Sequence, residues 1–145
     1  DLDHFKRFND TFGHSAGDIL LQEMGRLLRD FFRLEDFCCR YGGEEFLVLI
    51  PEISEDDMKT RSEMLRQQIG QLKVSYLDQQ LGKVTASMGG AFYPDHGEDF
   101  SRVLKAADEA LYRAKNEGRD RVCFAQSQSD DIAEKDPEAS HCAVC

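Results

Sequence analysis

No run of the chain is apolar for long enough to span a membrane, and none has the pattern of a secretory leader. The expectation is a cytoplasmic domain that makes no membrane contact through this segment. Because the chain opens on Asp1 rather than methionine, a longer protein tethered through an upstream region is compatible with that expectation. Cysteines are few, odd in number (five) and without framework spacing, which argues against a disulfide scaffold and for a reducing compartment. Positive charge is also short: 18 Lys and Arg stand against 28 Asp and Glu, for a net charge of −10. Five acids and one lysine put −4 of this in residues 127–145 and −6 in the body. That balance excludes an extended phosphate-backbone footprint, so no DNA or RNA partner is expected. It does not exclude a small anionic nucleotide held by a few local cations and a metal. No internal repeat is visible.

What remains is a chain of 145 residues, 41% hydrophobic and 32% charged, enough for one domain with its own core. Phe5, Phe8 and Phe12 recur at helical spacing before Gly13, and Leu20, Met24, Leu27, Leu28 and Phe31 form the stripe of a longer helix that closes by Asp36. FCCRY and EFLVLI read as two strands around a two-residue Gly42-Gly43 turn, where both positions tolerate φ > 0. Ser54 caps a helix with Met58, Leu65, Ile69 and Leu72 inward. KVSYL and KVTASMGGAFY suggest two strands around Gly82. Asp99 or Ser101 opens a last helix stopped by Gly118, RVCFA is a final short strand, and residues 126–145 read as a disordered acidic tail. The fold class expected is α/β, an α+β sandwich with a mixed, mainly antiparallel sheet and flanking helices.

The hairpin RYGGEEF carries the first chemical signal. Glycines at its tip let a bulky substrate approach the backbone, while Glu44 and Glu45, adjacent on a strand, would point to opposite faces. Asp1 and Asp3 would share a face. Acids from two neighbouring strands meeting at a sheet edge suit Mg²⁺, which takes oxygen ligands and leaves positions free for phosphates.

DLDHFKRFNDTFGHSAGD, RYGGEEF and ADEALYRAKNEGRDRV, in this order and at these separations, resemble the GGDEF family, the diguanylate cyclase domains. The resemblance covers residues 1–125 and implies a fold similar to the nucleotidyl cyclase and polymerase palm. It also implies an enzyme, a nucleotidyltransferase that condenses two GTP into cyclic di-GMP with release of pyrophosphate. Two domains of a homodimer would face each other, each presenting one GTP. In such a domain the strand ending in DLD runs through the middle of the sheet after a helix, so the first strand and preceding helix are expected to lie upstream of Asp1.

By resemblance, Asp1 and Glu44 are side-chain ligands of Mg²⁺ (Mn²⁺ possible), assisted by the Leu2 carbonyl. Asn9 and Asp18 bind the guanine edge, Lys115 and Arg119 clamp the terminal phosphates, and Lys6 is a further phosphate contact. Glu45 aids either a second metal or activation of the hydroxyl. Arg33 and Asp36, in RLED, fall where the family has its product-inhibition site for cyclic di-GMP, with Arg61 or Arg66 completing it. A non-catalytic receptor for GTP or cyclic di-GMP that signals through protein partners is the alternative.

Each residue also has a plainer reading. Lys115 and Arg119, four apart on a last helical turn, would share a face and complement the macrodipole. Asn9 and Asp18 could cap helices around FGHSAGD. Arg33 and Asp36 could form an i,i+3 ion pair. In the tail, His141, Cys142 and Cys145 are too few to hold zinc unaided.

Overall fold

In the computed structural model, residues 1–126 and 142–144 are described. Two helices open the chain, α1 (Phe5–Phe12) and α2 (His14–Phe31), split by Gly13 at φ 86°. A strand pair follows, β1 (Phe37–Arg40) and β2 (Phe46–Pro51), then α3 (Glu55–Gly70). The Ser54 hydroxyl accepts from Asp57 N–H to cap α3, as its sequence indicates. A small hairpin, β3 (Ser75–Tyr76) and β4 (Gln79–Gln80), precedes β5 (Met88–Tyr93), α4 (Phe100–Asn116), β6 (Val122–Phe124) and β7 (Cys142–Val144). Asp99 rather than Ser101 caps α4, accepting from Arg102 N–H.

The sheet runs β1-β2-β7-β5-β6, antiparallel except for the parallel β5–β6 pair. It is buried on both faces, which explains the unbroken LVLI run. Val48 and Ile50 pack with Met58 of α3, and Leu47 packs with Val103 and Ala107 of α4. Leu20, Met24 and Leu28 of α2 join Leu65 and Ile69 of α3 in the largest core cluster. The expected α+β sandwich is the fold observed.

Local readings differ in four places. The hairpin tip is a five-residue loop, because Arg40 pairs with Phe46. Neither Gly42 nor Gly43 is left-handed; Tyr41 N–H and Gly42 N–H both donate to the Glu45 carbonyl. Glu44 and Glu45 therefore sit in the loop, not on a strand. Second, the turn in KVSYLDQQ falls at Leu77 and Asp78, both at positive φ, so Gly82 is not a hairpin tip. Third, α2 ends at Phe31, short of Asp36. Fourth, Cys142–Val144, read as tail, form a strand; residues 127–141 and 145 lie outside the described residues.

One lane of the sheet is shared by the two ends of the chain. β7 occupies one part, with Val144 opposite Leu49 on β2 and Ala91 on β5. Asp1 and Leu2 occupy the other: Leu2 N–H donates to the Glu44 carbonyl (3.2 Å), Ser87 N–H donates to the Asp1 carbonyl (3.0 Å), and Leu2 bridges Ala86. Between them, Phe46–Val48 of β2 and Met88–Gly90 of β5 have no described strand on their facing edges. A cavity of about 390 Å³ opens there, lined by Leu28 and Ile69 on one side and by Leu104 and Leu111 on the other.

Candidate active site

The polar rim of that cavity gathers residues far apart in sequence. Asp1, Glu45, Asp108 and Lys115 all line it. Asp1 is anchored as part of the lane, and its side chain is only 7% exposed. Lys115 Nζ reaches Asp1 Oδ2 at 3.0 Å from the last turn of α4. α4 lies close because β5 opposite it is glycine: a Cβ on Gly89 would stand 2.1 Å from the Ala107 carbonyl oxygen. Glu44 joins the same place through its backbone, half-buried beside Leu2. Asp108 has its carboxyl pKa raised, first by burial and then by the negative charge of Glu45.

Asp3 does not share the task of Asp1. Its Oδ1 accepts from Ser87 Oγ–H (2.7 Å), and its Oδ2 accepts from Thr85 Oγ1–H (2.8 Å) and Asp120 N–H (3.1 Å). Three donors satisfy it within the protein, so the reading of Asp3 as a metal candidate is set aside. Arg119 also differs from its expected place. The helix ends at Asn116, and Gly118, Arg119 and Asp120 are all left-handed, at φ 116°, 63° and 46°. Helical spacing therefore does not put Arg119 on the face of Lys115. A reversed turn does the placing, and it leaves the Arg119 side chain exposed.

At the α1–α2 junction the turn is drawn tight. A Cβ on Gly17 would fall 1.9 Å from Asn9 Oδ1, so any larger residue there would have to displace the asparagine side chain from its present place. That Oδ1 is buried without a hydrogen-bond partner among the described residues, and exposed Asp18 follows Gly17 directly. Neither side chain caps a helix: the N-terminus of α2 has no side-chain cap. A buried, unpaired amide oxygen is costly unless something binds there. Lys6, exposed, stands one turn ahead of Asn9 on α1.

The RLED segment forms a tight turn after α2. Arg33 N–H donates to Asp36 Oδ2 (2.9 Å), and Asp36 N–H donates to the Arg33 carbonyl (3.1 Å). The side chains do not pair with each other. Asp36, with its side chain 2% exposed, holds Arg61 Nη2 at 2.9 Å, and that guanidinium lies over the Phe32 ring. Arg66 is committed elsewhere, to Glu63 and Asp120. The Arg33 guanidinium stays in solvent, 3.9 Å from Glu35. Asp18, Arg33 and Asp36 line one groove of about 780 Å³ between α2 and β1.

Comparison with known proteins interprets this geometry. The profile of the family "Diguanylate cyclase, GGDEF domain" matches residues 1–121. The chain belongs to the GGDEF family. It is 37% identical over 122 residues to the diguanylate cyclase DosC of Escherichia coli K12, covering 84% of this chain and 26% of that protein. Among solved structures it is similar to the GGDEF domain of DgcB from Caulobacter crescentus in complex with c-di-GMP. That match has a TM-score of 0.80 and 34% identity, and covers 88% of this chain and 75% of that one. It is similar also to the active GGEEF domain of a diguanylate cyclase from Vibrio cholerae, with a TM-score of 0.72 and 27% identity over 88% of this chain and 80% of that one. The chain spans well under half the length of the curated relatives it matches.

GGDEF cyclases generally use a divalent metal, and the residues here fit one. The Asp1 carboxylate is nearly buried and ion-paired at 3.0 Å with Lys115 Nζ at the cavity rim, an oxygen donor held where a cation could reach it. The donors on offer, Asp1, the Glu44 loop and backbone carbonyls, are all oxygen, which suits magnesium-class ions. No group of three or more His, Cys, Asp or Glu is clustered for a metal among the described residues. Sequence reasoning missed the part played by Asp3, Asp120 and Gly17. Their partners are up to 117 residues away, a separation that no local pattern reports.

Proposed function

We propose that this GGDEF domain is the catalytic part of a diguanylate cyclase that joins two GTP into cyclic di-GMP with release of pyrophosphate. The observation that carries the reading is the Asp1–Lys115 pair set beside the GGEEF loop, with left-handed Arg119 just beyond. Phosphoryl transfer needs alignment and charge neutralisation above all. When bound, Mg²⁺ (or Mn²⁺) would neutralise phosphate charge at Asp1, the Leu2 carbonyl and Glu44. On nucleotide binding Lys115 would exchange Asp1 for a terminal phosphate oxygen, which Arg119 grips from the other side and Lys6 from α1. Asn9 and Asp18 would take the guanine edge: a carboxylate accepting from N1–H and N2–H rejects adenine, which has no proton at N1.

Because one domain presents one GTP, the reaction needs a second copy facing it, and the active form is a homodimer. Arg33 and Asp36, with Arg61 as the completing arginine, would bind cyclic di-GMP and restrain the enzyme. Incubation of the full-length protein with GTP and Mg²⁺ should yield cyclic di-GMP. Binding of GTP without product would instead favour a receptor. Glu44→Ala should lower turnover at least about a hundredfold, the scale of losing a metal ligand, while leaving the melting temperature nearly unchanged, since it opens no cavity. Turnover near the parent rate would remove Glu44 from the metal site.

A further inference from the structure

Arg119 and Asp120 are consecutive non-glycine residues in the left-handed region. Each such residue is strained and persists only where its surroundings hold it. The structure shows what holds this turn. Arg119 N–H returns to the Ala114 carbonyl (3.0 Å), and Asp120 N–H donates to Asp3 Oδ2 (3.1 Å). The Asp120 carboxylate is taken from the far side by Arg66 of α3 and, at 3.6 Å, by Lys83. The other oxygen of Asp3 holds the buried hydroxyl of Ser87, whose N–H donates to the Asp1 carbonyl from the edge of the lane.

The geometry points to Asp3 as a positioning residue that sets Arg119 relative to Asp1. One carboxylate ties the strained turn of the phosphate clamp to the segment that bears the metal-side acid. Asp3 touches neither; it acts through the Asp120 amide on one side and through Ser87 on the other. This rests on the reading of Arg119 as a phosphate contact. Its consequence is specific: loosening the latch lets the turn relax and weakens the hold on phosphate, while the guanine end at Asn9 and Asp18 is untouched. A general weakening of the fold would affect both ends.

The test uses the full-length protein and two probes, GTP and guanosine, the second lacking phosphates. Asp3→Asn keeps the side-chain volume but cannot accept from all three donors, since one oxygen becomes an NH₂. It should weaken GTP binding about tenfold, the scale of one lost hydrogen bond to a charged group, with guanosine binding unchanged. Arg119→Ala should show the same selectivity, and Asp3→Asn added to Arg119→Ala should cost little more. Equal loss of GTP and guanosine, or independent losses in the double variant, would overturn the proposal. If Arg119→Ala binds GTP like the parent, the clamp reading fails and takes the proposal with it; if only Asp3→Asn binds like the parent, the proposal alone fails. Should Asp3→Asn lack a cooperative melt, Arg66→Gln releases the same turn from its exposed side. There a GTP-selective loss supports the latch, and none refutes it.

Discussion

At Asn9 and Gly17 a single missing Cβ leaves room for a buried amide. Glycine lets the Asn9 amide close on the α1–α2 junction with its oxygen buried and without a partner among the described residues, and Asp18 follows Gly17 directly. Asp18→Ala should therefore erode discrimination between GTP and ATP more than it lowers turnover. A competition assay with both nucleotides reads this directly, and unchanged preference would take Asp18 out of the guanine pocket. Glu63 gives a pH-dependent prediction. Hydrogen bonds from Arg66, and then from Gln67, pull its carboxyl from an ordinary 4.5 down to about 2. A depressed native pKa means the stabilisation is present above pH 4.5 and is lost as pH falls toward 2. Glu63→Gln should thus lower the melting temperature at pH 7 and leave it unchanged at pH 2. The effect at pH 7 should be small, because the side chain is 45% exposed. A difference that persisted at pH 2 would mean that packing, not charge, is what the substitution removes.

Among the elements, the turn between α2 and β1 separates two arginines by role. Arg61 is spent on Asp36 and the Phe32 ring, whereas Arg33 projects into solvent beside the groove. An exposed guanidinium can be removed without cost to the fold, while a paired one leaves a buried carboxylate behind. Arg33→Ala should accordingly keep early turnover and the melting temperature while relieving inhibition by added cyclic di-GMP. Arg61→Ala should relieve inhibition as well, but with a lower melting temperature. Progress curves and melts on both variants test this; equal inhibition of Arg33→Ala and parent would return RLED to a structural turn.

For the molecule as a whole, the sheet lane between β2 and β5 is where the two helix layers meet across the sheet. The cavity of about 390 Å³ there is lined from both helix layers, by Leu28 and Ile69 on one side and by Leu104 and Leu111 on the other, and α4 is held against β5 at Gly89. Gly89→Ala should therefore lower the melting temperature, because a Cβ there would stand 2.1 Å from the Ala107 carbonyl oxygen and push α4 off the sheet. A melt like that of the parent would show that α4 can shift without cost.

Residue patterns alone indicated the four helices, the Ser54 cap and the apolar β2, because periodicity and capping are local properties, while the candidate site residues came from the resemblance of three motifs to a family. Tertiary structure decided the rest. The five-residue loop at Gly42-Gly43 follows from strand register, the pairing of Arg61 with Asp36 and of Arg66 with Asp120 from where each arginine falls along α3, and the departure of Arg119 from helical spacing from a turn held by Asp3. Cys142–Val144 has no signal of its own as a strand; it pairs because β2 and β5 present open edges on either side. Hydrogen-bond partners more than eighty residues apart are brought together by the sheet, and that is information a linear pattern does not contain.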